Sequence, residues 1–523
     1  MQNPNDLSRR ALLRACSALG TLAAARAQSS QTVTAKTVYG QVRGARHDNV
    51  VVFKGIPFAG SPAGEGRFKP APKPNPWTGV RDALLYGAQS MQPADPNWPK
   101  EWKPAISSED CLFLNVWTPA VDAGHRPVMF YSHGGGFATG NGGADVAPQD
   151  AMHDGGPLAR DYDVVVVTHN HRLGIMGYLY LGDLLGEEYA ASGVAGMLDI
   201  AAALAWVRDN IAEFGGDPGK VMIWGESGGG AKTTTLTAMP RAQGLYQRAS
   251  VESGSMLRLK TRDTASETAR AVLQSLDLPQ TDARRLLTVP AEKLIAAGQA
   301  LPRANRNAGA FPSITIGMAD NLGFAPMVDG HEIPANPYDP VAPAISAKVP
   351  MIVGTNQFET QFLFRGNPAI LKMDDAALRQ RLDAMFADKA AHVLEVYRRS
   401  RPGASPGDLF LAITTAQWMG MDAIRMAERK AALHGAPVFM YVFAHGAAGH
   451  AAEMPYKFDH VPGKTARNMS RAWASFARNG DPSHDEIPKW PAYTLADRAT
   501  MFIDDECRVV NDPYREERLL WEA

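Results

Sequence analysis

Short, unbroken apolar runs recur along this chain, separated by longer stretches of mixed character. They are Val128-Met129-Phe130-Tyr131, Val164 to Val167, Val221 to Trp224, Met351-Ile352-Val353 and Val438 to Phe443. A strand with one wet face alternates apolar and polar residues, whereas a continuous run predicts a strand covered on both faces. Between the second and third runs, Ile200, Leu204, Val207, Ile211 and Phe214 recur at steps of four and three. That spacing predicts an amphipathic helix with one apolar face, halted by Gly215-Gly216. Strands alternating with helices predict an α/β fold around a mostly parallel sheet. Open sheets of this kind bind ligands beyond the carboxyl ends of their strands. His133 to Gly136 follow the first run, Ser227 the third, Glu359 the fourth and His450 the last. Four segments able to do chemistry are therefore expected at one edge.

Composition narrows the partners. The chain is 45% hydrophobic and 20% charged, which is ordinary for a globular protein. A net charge of −1 without a basic stripe offers no grip to nucleic acid or to an anionic membrane. No stretch beyond the N-terminus approaches the roughly 18 apolar residues of a membrane span. Length alone would allow about three domains, yet no repeat, low-complexity tract or linker marks a boundary. A single domain over 28–523 is expected.

Residues 1–27 differ from the rest. Ser8-Arg9-Arg10-Ala11-Leu12-Leu13 precedes a weakly apolar stretch and then Ala25-Arg26-Ala27. A basic start, a short apolar centre and an Ala-x-Ala site predict a cleaved signal peptide. The paired arginines resemble a twin-arginine export signal, so a periplasmic or secreted protein is expected. Cleavage would remove Cys16 and leave Cys111 and Cys507, either bridged or as two free thiols.

The chemistry centres on Gly225-Glu226-Ser227-Gly228-Gly229, entered by the apolar run Val221 to Trp224. A serine on a sharp strand-to-helix turn exposes its hydroxyl, and the flanking glycines avoid clashes within that turn. Phe214-Gly215-Gly216-Asp217-Pro218 and His133-Gly134-Gly135-Gly136-Phe137 add glycine-rich segments upstream. Together they predict a serine esterase. His169-Asn170-His171, with His133, also has a spacing that suits zinc, but no carboxylate or cysteine accompanies it.

Further blocks carry a family resemblance. They include Phe53-Lys54-Gly55-Ile56-Pro57-Phe58-Ala59, Gly66-Arg67-Phe68, Glu109-Asp110-Cys111-Leu112, Arg172-Leu173-Gly174, Phe324-Ala325-Pro326 and Trp490-Pro491. With the block from Trp206 to Gly230, they make the chain resemble the type-B carboxylesterases, the cholinesterase-like branch of the α/β-hydrolases, as an exported bacterial member. The resemblance covers nearly everything after residue 39. It implies an α/β-hydrolase fold, with insertions framing a gorge, and a triad of Ser227, Glu359 and His450. It further implies oxyanion-hole donors at Gly135, Gly136 and Gly228, with Glu226 and Ser253 supporting the triad. Arg67 and Glu109 resemble a structural ion pair. The implied reaction hydrolyses a small carboxylic ester through an acyl-enzyme and needs no cofactor or metal.

Departures and rivals also stand in the sequence. Ser90 stands near the place where the family commonly has the cysteine that pairs with Cys111. Trp98 and Trp102 lie in that segment, but neither aligns with a choline-stacking aromatic. His171 replaces a usual tyrosine. Asp329 and Glu332 rival Glu359 as the acid, and His445 rivals His450 as the base. Phe137, Phe358 and Phe362 suit either a substrate pocket or the core. Amide, carbamate or lactone hydrolysis on the same machinery stays open, as does an inactive binding protein, although no triad member is missing.

Overall fold

The structure, a computed structural model, describes residues 31–94, 105–144, 152–301, 322–364 and 367–522. The export segment at 1–27, Trp98 and Trp102 lie outside the described residues. A 13-stranded sheet organises the rest. In chain order its strands are β1 (Thr32–Thr37), β2 (Gly40–His47), β3 (Val50–Pro57) and β4 (Val80–Asp82). A separate two-stranded sheet pairs β5 (Gln89–Ser90) with β6 (Ser107–Ser108). The main sheet continues through β7 (Phe113–Thr118), β8 (Arg126–Ser132), β9 (Val165–His169), β10 (Gly216–Glu226) and β11 (Arg248–Glu252). It closes with β12 (Met351–Asn356), β13 (Val438–Phe443), β14 (Ala499–Ile503) and β15 (Arg508–Asn511). The order across the sheet is β1-β2-β3-β7-β9-β8-β10-β11-β12-β13-β14-β15, with β4 beside β2. From β9 to β14 every pairing is parallel, while the flanks are antiparallel except where β4 pairs parallel with β2.

The apolar runs fall in five of the seven parallel strands, and their side chains divide between two cores. Val128 and Phe130 of β8, with Val221 and Ile223 of β10, join one apolar cluster. Met129, Tyr131, Met222 and Trp224 join the cluster on the opposite face. Alternate side chains of a strand point to opposite faces, so a run apolar at every position is what a sheet covered on both sides requires.

The helix expected to be amphipathic is not. Residues Ala195–Asn210 form an α-helix, Ile211–Phe214 continue it as a 3-10 turn, and Gly215 stops it at φ +78°. Twelve of the sixteen α-helical residues are buried, on all sides of the helix. It packs against β10 on one side and the short helix Gly174–Tyr178 on the other. A Cβ on Gly196 would lie 2.5 Å from the Arg172 carbonyl oxygen. Second-side burial comes from a chain segment remote in sequence, which a local apolar period cannot register. Arg172 makes two guanidinium bonds to the Asp199 carboxylate, at 2.7 and 2.8 Å, pinning this helix beneath the sheet edge. The segment Glu187–Phe214 has the length and composition of a membrane span, but 78% of its most apolar window is buried inside the protein.

Cys111 and Cys507 are both free thiols. Burial pushes the Cys111 thiol up to about 12, so it stays protonated and inert. Ser90 is buried and accepts a hydrogen bond from the Leu173 N–H at 3.1 Å.

Candidate active site

β10 ends at Glu226, and the chain turns through Ser227 into the helix Gly228–Leu236. Ser227 has φ 56° and ψ −121°, a conformation costly for any residue with a side chain and held only by its surroundings. Those surroundings are tight. A Cβ on Gly225 would lie 2.6 Å from the Ser132 carbonyl oxygen, and one on Gly229 only 1.9 Å from it. The glycines let β8, β10 and the helix meet at one point, which lifts the Ser227 hydroxyl above the sheet.

The structure brings Ser227, His450 and Glu359 into one hydrogen-bonded chain. His450 Nε2 lies 2.8 Å from Ser227 Oγ, and Nδ1 lies 2.6 Å from Glu359 Oε2. With the proton on Nδ1, the imidazole donates to Glu359 and accepts from the Ser227 hydroxyl. The other Glu359 oxygen accepts from Ser253 Oγ at 2.5 Å and from the Asn356 N–H at 2.7 Å. The loops carrying acid and histidine are tied together. The Phe358 N–H donates to the Ala448 carbonyl at 2.9 Å, and Asn356 Nδ2 donates to the Gly449 carbonyl at 2.6 Å. Asn356 Nδ2 also reaches Glu453, which shares the buried Lys457 with Glu252. A charged network therefore lies directly beneath the three residues.

Glu226 sits beside the histidine, with one oxygen 3.4 Å from His450 Nε2. Burial pushes the Glu226 carboxyl up. Burial also works against the His450 cation, but the Glu226 and Glu359 carboxylates outweigh it and hold the imidazole above its ordinary value. A base acts only when deprotonated, so the rate is expected to rise with pH through this raised value. Glu226→Gln removes one of the two carboxylates. Its kcat/KM profile should have its rising limb displaced to lower pH, and an unmoved limb would show that Glu226 does not set the base.

Gly135 and Gly136 occupy φ +82° and +63°, left-handed backbone that glycine alone takes freely. A Cβ on Gly228 would lie 2.3–2.5 Å from Gly136 backbone atoms, so this loop lies on the start of the helix. Among the described residues no group accepts a hydrogen bond from the N–H of Gly135, Gly136 or Gly228. Three free donors beside a serine hydroxyl suit an oxygen that gains negative charge.

The rivals are engaged elsewhere. His445 Nδ1 pairs with Asp504 at 2.7 Å, and Glu332 pairs with Arg241. Asp329 accepts from the N–H groups of its own turn. Arg67 and Glu109 form an ion pair, with Arg67 also held by the Val289 carbonyl. The histidines 133, 169 and 171 are buried and kept neutral by burial. The rings of His133 and His171 stack 4.8 Å apart, and those of His169 and His171 lie 5.3 Å apart. Phe137 is buried against Tyr178 and belongs to the core, as does most of Phe358. Phe362 is 42% exposed, with its ring 5.8 Å from His450.

Two neighbours went unremarked in the sequence. Trp418, 5.2 Å from the His450 ring, is carried by one turn of π-helix, Ala416–Gly420, inside a longer helix. No residue pattern announces that turn. Lys232, five positions after the serine, is fully buried against the Gly-rich loop. A lone lysine in the uncharged stretch Gly228–Leu236 was the available signal.

A mostly parallel sheet flanked by helices, with a serine on a strained strand-to-helix turn, is the α/β-hydrolase fold. The carboxylesterase family model matches residues 29–521. The para-nitrobenzyl esterase of Bacillus subtilis is 34% identical over 505 residues, covering 92% of this chain and 97% of that protein. The phenmedipham hydrolase of Pseudarthrobacter oxydans is 31% identical, covering 90% and 95%. The carboxylesterase EST55 of Geobacillus stearothermophilus, a solved structure, superposes with a TM-score of 0.78 at 34% identity, over 93% of this chain and 99% of that one. The chain belongs to the carboxylesterase family and is a carboxylic ester hydrolase.

Proposed function

We propose that this protein hydrolyses small carboxylic esters through an acyl-enzyme formed on Ser227. The observation that carries the proposal is the unbroken chain from Ser227 Oγ through both nitrogens of His450 to Glu359, with bonds of 2.8 and 2.6 Å. Ser227 Oγ bonds to the ester carbonyl carbon as His450 Nε2 takes the hydroxyl proton. Glu359 stabilises the imidazolium so formed. The carbonyl oxygen becomes an oxyanion held by the N–H groups of Gly135, Gly136 and Gly228. Collapse breaks the ester C–O bond, and His450 returns its proton to the departing alcohol. Water, deprotonated by the same nitrogen, then releases the acid and restores Ser227.

The test is hydrolysis of p-nitrophenyl acetate, butyrate and palmitate, beside a matched carbamate and amide. Rapid turnover of the short esters supports the reading, and silence on every ester would sink it. A second reading, carbamate or amide hydrolysis on the same machinery, has support in the relative named for phenmedipham hydrolysis.

The proposal includes export. The Arg9-Arg10 pair, apolar centre and Ala-x-Ala site support the twin-arginine route with cleavage after Ala27. The mature chain should begin at Gln28 by mass spectrometry. Replacing both arginines with lysine should leave the precursor uncleaved in the cytoplasm, and normal processing of that variant would refute the route.

A further inference from the structure

Every residue of the helix Gly228–Leu236 is buried, Lys232 included. Enclosing an ammonium costs several kcal/mol even after relaxation, a cost normally offset by a carboxylate. Among the described residues no carboxylate pairs with it. Among the described residues, the sole acceptor for Lys232 Nζ is the main-chain carbonyl of His133 at 2.8 Å, with the Phe137 ring centroid 5.9 Å away. The titratable groups that feel its charge are the buried His133, His169 and His171 and the half-buried His153, all held neutral. Burial alone pulls the lysine down to about 7. An apolar residue of similar length would fill the space without that penalty, so stability does not account for a lysine at this position.

The contact itself offers an account. His133 is the root of the loop whose next residues include Gly135 and Gly136. Beyond the glycines, the Thr139 and Ala138 N–H groups fold back to the Gly135 carbonyl at 3.1 and 3.3 Å. Those bonds shape the loop internally but do not locate it relative to Ser227. The bond from Lys232 does, because Lys232 rides on the helix that Ser227 begins. A shift of the loop by a fraction of an ångström would spoil the convergence of three donors on one oxygen.

We propose that Lys232 is a positioning residue that locks the oxyanion loop to the nucleophile's helix through the His133 carbonyl. The inference rests on the reading of Ser227 and the three glycines given above. Its effect is confined to the transition state, since ground-state ester makes little use of the oxyanion donors.

The test compares Lys232→Met with wild type, with active sites counted by complete phosphorylation with diethyl p-nitrophenyl phosphate. Expected per counted site are a kcat on p-nitrophenyl butyrate lower by about 10²-fold and a KM within about twofold. The inhibition constant of a trifluoromethyl ketone, whose serine adduct carries an oxyanion, should rise by the same factor as kcat falls. The melting temperature should be unchanged or higher. A kcat per site close to wild type would overturn the inference, as would a ketone affinity that stays constant while kcat falls. If the methionine variant does not fold, Lys232→Gln, which lacks the charge and the reach, is judged by the same readings. A wild type silent on all esters would instead sink the reading of the site itself, and this inference with it.

Discussion

Ser227→Ala is expected to lower ester hydrolysis by about 10⁵- to 10⁶-fold in kcat, with little change in substrate binding or stability. The hydroxyl is one heavy atom at a turn whose geometry is set by neighbouring glycines and by main-chain bonds. The Ser227 N–H donates to the Glu252 carbonyl at 2.9 Å, and the Ala231 N–H donates to the Ser227 carbonyl at 3.0 Å. Neither bond involves the side chain, so the alanine variant keeps the turn. The oxyanion donors and His450 also remain, and water attacking directly should sustain a small residual rate. The measurement is single-turnover and steady-state hydrolysis of p-nitrophenyl butyrate, with thermal melting as the control for folding. Activity within tenfold of wild type from a folded variant would remove Ser227 from the chemistry and return the choice to another nucleophile.

Gly229→Ala is expected to damage both activity and stability. The new Cβ would lie 1.9 Å from the carbonyl oxygen of Ser132 and 3.2 Å from that of His133. The Ser132 carbonyl cannot retreat easily, because β8 is clamped between β9 and β10 in the middle of the sheet. The helix must move instead, and Ser227 and Gly228 move with it. Misplacing nucleophile and oxyanion donor together should cost more than about 10³-fold in kcat/KM, and forced overpacking about 2–4 kcal/mol of stability. Gly244→Ala is the comparison. Gly244 has φ +82° but open space around the added atom, so only backbone strain of about 1–2 kcal/mol is expected, with kcat/KM unchanged. Equal effects of the two substitutions would mean that crowding at the turn is unimportant.

In the proposed reaction Glu226, Lys232 and the glycines act without bonding to substrate carbon, and each does so by a different physical route. Glu226 adjusts the proton affinity of His450 across 3.4 Å. Lys232 holds a loop by one bond to a carbonyl. The glycines permit an approach of backbones that any side chain would prevent. Separating these terms by pH profile, by transition-state analogue and by stability makes the predictions independent of one another.

Family resemblance supplied the identities of the candidate groups, while local patterns in the chain were enough for the α/β class and for five of the seven parallel strands, missing β11 and β14. Those features are written in short-range physics. An apolar run records burial on both faces, and a glycine records a turn or a close approach. The order of groups along the chain also follows from a sheet that gathers strand ends at one edge. Tertiary structure decided the rest. His450 Nε2 meets Ser227 Oγ across 223 positions of sequence, and no spacing encodes a 2.8 Å distance. Helix Ala195–Asn210 shows an apolar period yet is buried all round, because a remote segment covers its second side. Trp418 reaches His450 through a π-turn that leaves no residue signature, and Lys232 looks like an ordinary helix lysine until its helix is seen enclosed. In each case the deciding term is the burial or proximity that distant segments impose on one another, and it exists only once the whole sheet has assembled.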